Sequence, residues 1–192
     1  MRISMVTLIA AIGLGLLPGT TAHAKTAQLA YEIVPNVNQN WALNIGGSNG
    51  DGRAGVKAGV WWRSPGSLPN SWTLTFKFGT AAGVSYYQWK NRFSGMCLEL
   101  ELNSSVRFAI QQPCGSSTRQ QWAFIQQGNG SGGFRVSNRA SDVADNIAPG
   151  QGRVLKFVAS GIGETPPVGS FAFMAFASNN AHEFWHSRPF TI

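Results

Sequence analysis

Large apolar side chains occupy every second position from Trp72 to Phe78: Trp72, Leu74, Phe76 and Phe78 are separated by Thr73, Thr75 and Lys77. A period of two predicts a strand that turns one face towards a core. Residues 79–83, bounded by Gly79 and Gly83, turn the chain into a second apolar run over 84–89, which completes a hairpin. The same plan recurs at 122–125 and 134–136, joined by the turn Gly128-Asn129-Gly130-Ser131-Gly132-Gly133. No window of about 12 residues or more carries a capped amphipathic helix. The expected fold class is all-β.

The hairpins look alike because the chain repeats itself. Tyr31-Glu32-Ile33-Val34-Pro35-Asn36, Tyr86-Tyr87-Gln88-Trp89-Lys90-Asn91 and Gly133-Phe134-Arg135-Val136-Ser137-Asn138 are aromatic strands ending on asparagine, 55 and then 47 residues apart. Six residues after each asparagine a second run matches: Ala42-Leu43-Asn44-Ile45, Cys97-Leu98-Glu99-Leu100 and Ala144-Asp145-Asn146-Ile147. Trp72, Trp122 and Trp185 form a third mark. Three copies of roughly 50 residues predict pseudo-threefold packing, each copy burying its apolar face against the other two.

The N-terminus is read apart from this. Met1-Arg2, the apolar stretch of 13 residues over 5–17, Pro18-Gly19 and then Ala22-His23-Ala24 make the pattern of a secretory signal peptide over 1–24, too short to span a bilayer. Residues 25–192 are the expected mature domain. Cleavage leaves 14 basic and 8 acidic residues, a net +6. The basic residues are scattered, with none adjacent to another, which argues for a solvated surface and against a nucleic-acid partner. Charged residues make up only 12% of the chain while 43% is hydrophobic, so a packed core is expected beneath a polar, weakly charged surface. An exported chain with only two cysteines has one intramolecular pairing open to it, Cys97 with Cys114.

Two patterns suggest catalysis and are rejected on geometry. His182-Glu183-Phe184-Trp185-His186 reads H-E-x-x-H, but a zinc site of that kind needs a helix to bring its histidines together. In a strand those positions stand about 13 Å apart, and Pro189 follows at once. Glu99 and Glu101 lie on one strand face, roughly 7 Å apart, a spacing compatible with a glycosidase pair. Leu98, Leu100 and Leu102 alternate with them and give the simpler account, a strand with one buried face. Neither a metal nor a cofactor is expected.

The middle repeat resembles a ricin B-chain-type lectin domain. Asn91-Arg92-Phe93-Ser94-Gly95-Met96-Cys97-Leu98-Glu99-Leu100, then Ile110-Gln111-Gln112-Pro113-Cys114, then Gln120-Gln121-Trp122 carry the S-G-x-C-L, P-C and Q-x-W elements in order. In the outer repeats Asn70-Ser71-Trp72 and Glu183-Phe184-Trp185 stand for Q-x-W; Ala42 and Ser64 replace the first repeat's cysteines, and the third has an insertion over 161–168. The resemblance covers about 30–192 and implies a single β-trefoil of three repeats. It also implies one shallow sugar site per repeat: an acidic residue two positions after the first cysteine, an aromatic residue before P-C, and a polar residue before Q-x-W.

Carried over residue by residue, the middle repeat keeps the acid as Glu99, replaces the aromatic residue by Gln112 and the usual asparagine by Arg119, and retains Gln111 and Gln120 as polar partners. Counting back from Trp72 places Trp62 at the aromatic position of the first repeat, with Trp61 beside it; Asn44 replaces the acid, Pro69 stands at the usual asparagine and Asn70 follows. In the third repeat Asn146 or Asp145 falls at the acid, Phe176 lies near the aromatic position, and His182 precedes Glu183. The expectation is a secreted, non-catalytic carbohydrate-binding module for glycans or polysaccharides, weak and active in only some repeats. The alternative is a trefoil scaffold that acts through protein contacts.

Overall fold

A computed structural model of the chain describes residues 29–102, 106–126, 133–157, 170–178 and 183–191. The signal peptide, the turn residues 128–132, the 161–168 insertion and His182 lie outside them. The described residues form twelve strands: β1 (Leu29–Pro35), β2 (Trp41–Ile45), β3 (Ala58–Trp62), β4 (Ser71–Gly79), β5 (Ser85–Asn91), β6 (Cys97–Leu100), β7 (Arg107–Gln112), β8 (Trp122–Gln126), β9 (Phe134–Asn138), β10 (Arg153–Phe157), β11 (Ala172–Phe176) and β12 (Trp185–Thr191). One short helix, α1 (Arg139–Asp145), lies between β9 and β10. Every strand pair is antiparallel. β1 pairs with β4, β4 with β5, β5 with β8, β8 with β9, β9 with β12, and β12 with β1, which closes a six-stranded barrel without a free edge. Hairpins β2–β3, β6–β7 and β10–β11 complete three units of four strands, a β-trefoil.

The core explains the repeat. Trp72, Trp122 and Trp185 are fully buried, and each indole Nε1 donates to a carbonyl of the hairpin in its own repeat: Leu43 at 3.1 Å, Leu98 at 2.8 Å and Leu155 at 2.8 Å. Those leucines are buried, as are the next pair along each hairpin, Ile45 with Ala58, Leu100 with Ala109 and Phe157 with Ala172. One indole thus fills the centre and, through a single donor, locks hairpin to barrel three times over.

Cys97 and Cys114 are joined, with Cα atoms 5.0 Å apart and a sequence separation of 17. Closing a loop of that length constrains the unfolded chain by about 3 kcal/mol. Replacing both cysteines by alanine is expected to lower the unfolding free energy by about that amount. Urea titration of the oxidised protein beside the double variant checks it; equal midpoints would show that the bond contributes nothing.

Four sequence readings change. Phe76 (59% exposed) and Phe78 stand out of the core, because β4 and β5 run on beyond the barrel and a bulge shifts the pairing between Phe76 and Phe78; only Trp72 and Leu74 face inward. Strand β6 is buried on both faces, Cys97 and Glu99 as well as Leu98 and Leu100, whereas Leu102 is exposed. Helix α1 has a cap that a longer window overlooks: Asn138 Oδ1 accepts from Ala140 N and Ser141 N. It also delays the next strand, so the third copy of the second run is Val154–Phe157 in β10 and not 144–147. Finally, Asn91 and Asn138 send Nδ2 to the carbonyls of Pro69 and Arg119 respectively, but it is Pro35 that pairs with Trp185 as Asn91 pairs with Trp72, so Asn36 sits one place further on.

Candidate functional site

Each Trp-to-hairpin bond also fixes the contact next to it. The residue after the accepting leucine is brought against the residue two before the tryptophan, and the three pairs differ in chemistry. Asn44 Nδ2 donates to Asn70 Oδ1 in repeat 1; Gln120 Nε2 donates to Glu99 Oε2 at 2.7 Å in repeat 2; Lys156 Nζ lies 3.0 Å from Glu183 Oε2 in repeat 3. The acid position of the third repeat is therefore Lys156, ten residues beyond Asn146, because α1 intervenes. Asn70 and Gln120, expected as sugar contacts, are buried and line neither the cleft around Asn44 nor that around Glu99; they hold Asn44 and Glu99 in place.

Strand register corrects the aromatic position as well. Trp61 lies opposite Ala42 as Gln112 lies opposite Cys97 and Ala175 opposite Val154. The connection from β3 to Trp72 is one residue longer than its counterparts, so counting back lands on Trp62 in the first repeat, whereas in the third the same count gives Ala175, the residue the register assigns, next to Phe176. Trp62 is 54% exposed and packs on Trp41, ring centroids 5.2 Å apart, outside the cleft; only its carbonyl reaches inward, accepting from Asn70 Nδ2 at 3.2 Å.

The repeat-1 cleft encloses about 420 Å³ and is lined by Asn44, Gly46, Gly47, Val56, Lys57 and Trp61, with Gly59, Val60 and Phe171 completing it. Trp61 and Phe171 offer two aromatic surfaces, the second from repeat 3, brought in where Gly59 pairs with Phe171 and Val60 N donates to Ser170 O. Asn44 is 4% exposed and already used: its Oδ1 accepts from Gly47 N at 2.8 Å while its Nδ2 serves Asn70. That bond anchors a tight loop. Gly46 (φ +75°) and Gly47 (φ +76°) take left-handed conformations, and a Cβ on Gly46 would meet Asp51 N at 2.2 Å, so glycine is required there.

Gln111, expected beside the sugar, does another task. It occupies the position of Val60 and Met174 on the buried face, and its Nε2 donates to the carbonyls of Asp51 and Arg53. With Gly55 N bonded to Gln111 O and Gln111 N to Val56 O, it ties the loop between β2 and β3 to repeat 2. The glycine-rich loop between β2 and β3 is thereby the wall of the cleft. Asp51 caps it locally, its carboxyl lowered to about 2 by hydrogen bonds from Arg53.

The repeat-2 cleft, about 470 Å³, is lined by Glu99, Glu101, Leu102, Ile110, Gln112, Pro113 and Arg119. Glu99 is 6% exposed, with Oε1 3.1 Å from Arg119 Nη2 and Oε2 on Gln120, so the carboxylate has both oxygens engaged. Gln112 offers amide polarity but no aromatic face. In repeat 3 Lys156 is committed to Glu183 and to Ser178 Oγ at 2.8 Å. Glu183, the acid of the H-E-x-x-H pattern, is bound by Arg135 at 2.6 Å, and His186 lies in β12 with Nε2 2.6 Å from Asn36 Oδ1. Among the described residues no group of three or more His, Cys, Asp or Glu is placed to hold a metal ion. No described helix is long and apolar enough to cross a membrane.

Residues 69–152 match the family model for ricin-type β-trefoil lectin domain-like sequences. No curated protein matches the chain. Among solved structures, the designed threefold-symmetric protein ThreeFoil superposes with a TM-score of 0.63 at 21% identity, over 82% of this chain and 96% of its own. An exo-β-1,3-galactanase from Clostridium thermocellum gives 0.62 at 18% identity, over 85% of this chain but 30% of its own. The Polyporus squamosus lectin gives 0.56 at 16% identity, over 82% and 48%. At these identities the likeness is one of fold. By sequence over residues 69–152, and by fold over the described residues as a whole, the chain resembles the ricin-type β-trefoil lectin domains.

Proposed function

We propose that the protein is a secreted, non-catalytic carbohydrate-binding module, exported by residues 1–24, that binds through the repeat-1 cleft. The observation that carries this reading is the pairing of Trp61 and Phe171 around a cleft of about 420 Å³. A sugar has an apolar C–H face that needs a flat aromatic surface, and hydroxyls that need nearby polar groups. Among the described residues that line this cleft there is no carboxylate, histidine or hydroxyl side chain, and Lys57 has no acid or base beside it, which supports holding a ligand over reacting with it. Binding is weak because Asn44, where the family has an acid, has given its polar atoms to Gly47 and Asn70.

The other repeats support a single working site. Arg119 covers Glu99 in repeat 2, and Lys156 inverts the charge in repeat 3. Glycan-panel binding by the purified protein tests this, with Trp61→Ala beside Trp62→Ala. Losing an aromatic platform worth about 1.5 kcal/mol should weaken binding roughly tenfold in the first. Trp62→Ala should stay within about twofold of the parent. Loss with Glu99→Ala and none with Trp61→Ala would move the site to repeat 2. The internal use of Asn44 and Glu99 favours a second reading, a scaffold that acts through protein contacts; folded protein that binds no glycan on the panel would select it.

A further inference from the structure

We propose that the ligand of the repeat-1 cleft is an acidic saccharide, its carboxylate or sulfate received by the ammonium of Lys57; this rests on the carbohydrate-binding reading above. Among the described residues that line the cleft, Lys57 is the one that carries a charge. Its Nζ stands 3.7 Å from the centroid of the Phe108 ring and 5.1 Å from that of Phe171, two rings that meet edge to face at 6.1 Å. Phe108 comes from β7 and Phe171 from the lead-in to β11, so side chains of repeats 2 and 3 place a cation at the edge of a repeat-1 cleft.

An aromatic face attracts an ammonium ion without neutralising it. Among the described residues Lys57 has neither a hydrogen-bond acceptor nor an ion-pair partner, whereas Arg53, Arg63, Arg107, Arg119, Arg135, Arg153 and Lys156 are all paired with carboxylates. The family position that would supply a counter-charge in this cleft is Asn44, which is neutral and occupied. Covering such a cation with a neutral sugar strips water from a compact charge and returns only hydroxyl contacts. An anionic substituent returns a charge-assisted hydrogen bond in surroundings less polar than water. The repeat-2 cleft has the opposite balance, with Glu99 and Glu101 against Arg119, and repels the same ligand. The mature chain's net charge of +6 adds attraction at longer range.

Matched oligosaccharide pairs that differ only in the acidic group test the proposal on the whole mature protein. The pairs are a sialylated lactosamine and its asialo form, a uronic-acid oligosaccharide and its carboxyl-reduced form, and a sulfated oligosaccharide and its unsulfated form. The acidic member of at least one pair should bind tenfold or more tighter, and the arm that responds identifies the anion. The preference should shrink as salt rises from about 0.05 to 0.3 M, in line with screening. Lys57→Gln should bring the two members within about threefold of each other, and Lys57→Arg should keep the preference. Unchanged near-ultraviolet circular dichroism marks Lys57→Gln as folded, and the unmodified protein alone already decides whether an acidic preference exists. Equal binding of both members, or a preference that survives in folded Lys57→Gln, overturns the proposal and leaves the lectin reading standing. Silence towards every acidic and neutral glycan overturns both.

Discussion

Replacing Glu183 with alanine is expected to remove about 3–5 kcal/mol of folding stability, the cost of leaving buried charge without its partner. The carboxylate is fully buried. Its Oε1 lies 2.6 Å from Arg135 Nη2, and its Oε2 accepts from Ser178 N at 2.9 Å and lies 3.0 Å from Lys156 Nζ. Both cations are themselves mostly buried, so alanine takes the carboxylate from two charges at once and leaves them neutral acceptors such as Gly150 O and Ser178 Oγ. Glu183→Gln keeps the volume and one acceptor and should fall between the two. Urea unfolding at pH 7 makes the comparison; a loss below about 1 kcal/mol for the alanine variant would show that water reaches Arg135 and Lys156 and replaces the carboxylate.

The same site sets a pH dependence. Burial works to raise the Glu183 carboxyl, but the Ser178 N–H, Lys156 and Arg135 together hold it below its ordinary value of 4.5. An acid whose folded-state value lies below its unfolded one stabilises the fold above the unfolded value and loses that contribution as pH falls through the folded one. Stability conferred by Glu183 should therefore be complete at neutral pH and drain away below about pH 4.5. Asp142 runs the other way: burial pushes its carboxyl up against the hydrogen bonds from Ser137 and Tyr86, so its ionisation costs stability as pH rises. The two slopes oppose each other, and only the difference between parent and Glu183→Gln isolates the first.

What could be read in the sequence was what the core demands of residue type. Trp72, Trp122 and Trp185 each fill one third of the same centre, and that requirement survives large changes elsewhere. Cys97 and Cys114 were legible because only one pairing existed. The site was harder, since it depends on connections whose lengths drift. One extra residue before Trp72 moves the platform from Trp62 to Trp61, and helix α1 moves the third acid position to Lys156. Gln111 was misread for a physical reason too. A glutamine near a motif suggests a ligand contact, but here it stands on a buried face and spends its amide on the loop carbonyls. Lys57 carried no motif at all, and its significance arises only when Phe108 and Phe171, 63 residues apart in the chain, come together around it.

Truncating any one of Trp72, Trp122 or Trp185 to alanine should cost about 3–5 kcal/mol, because each removes the largest side chain of a fully buried cluster and leaves a void that a closed barrel cannot collapse into. Phenylalanine at the same positions refills most of the space but abandons the carbonyl of Leu43, Leu98 or Leu155, a smaller loss of about 1–3 kcal/mol. Stability should respond alike in the three repeats while binding should not. Trp72 holds Leu43, and Leu43 carries Asn44 and the loop that walls the repeat-1 cleft, so Trp72→Phe should weaken glycan binding beyond its effect on unfolding. Trp185→Phe disturbs a hairpin whose polar position is Lys156, already bound to Glu183, and should leave binding intact in protein that remains folded. Urea midpoints and glycan affinity measured on the same six variants separate the two effects. Equal binding losses for Trp72→Phe and Trp185→Phe would show that the cleft senses the barrel as a whole, and would sink the assignment of binding to one repeat.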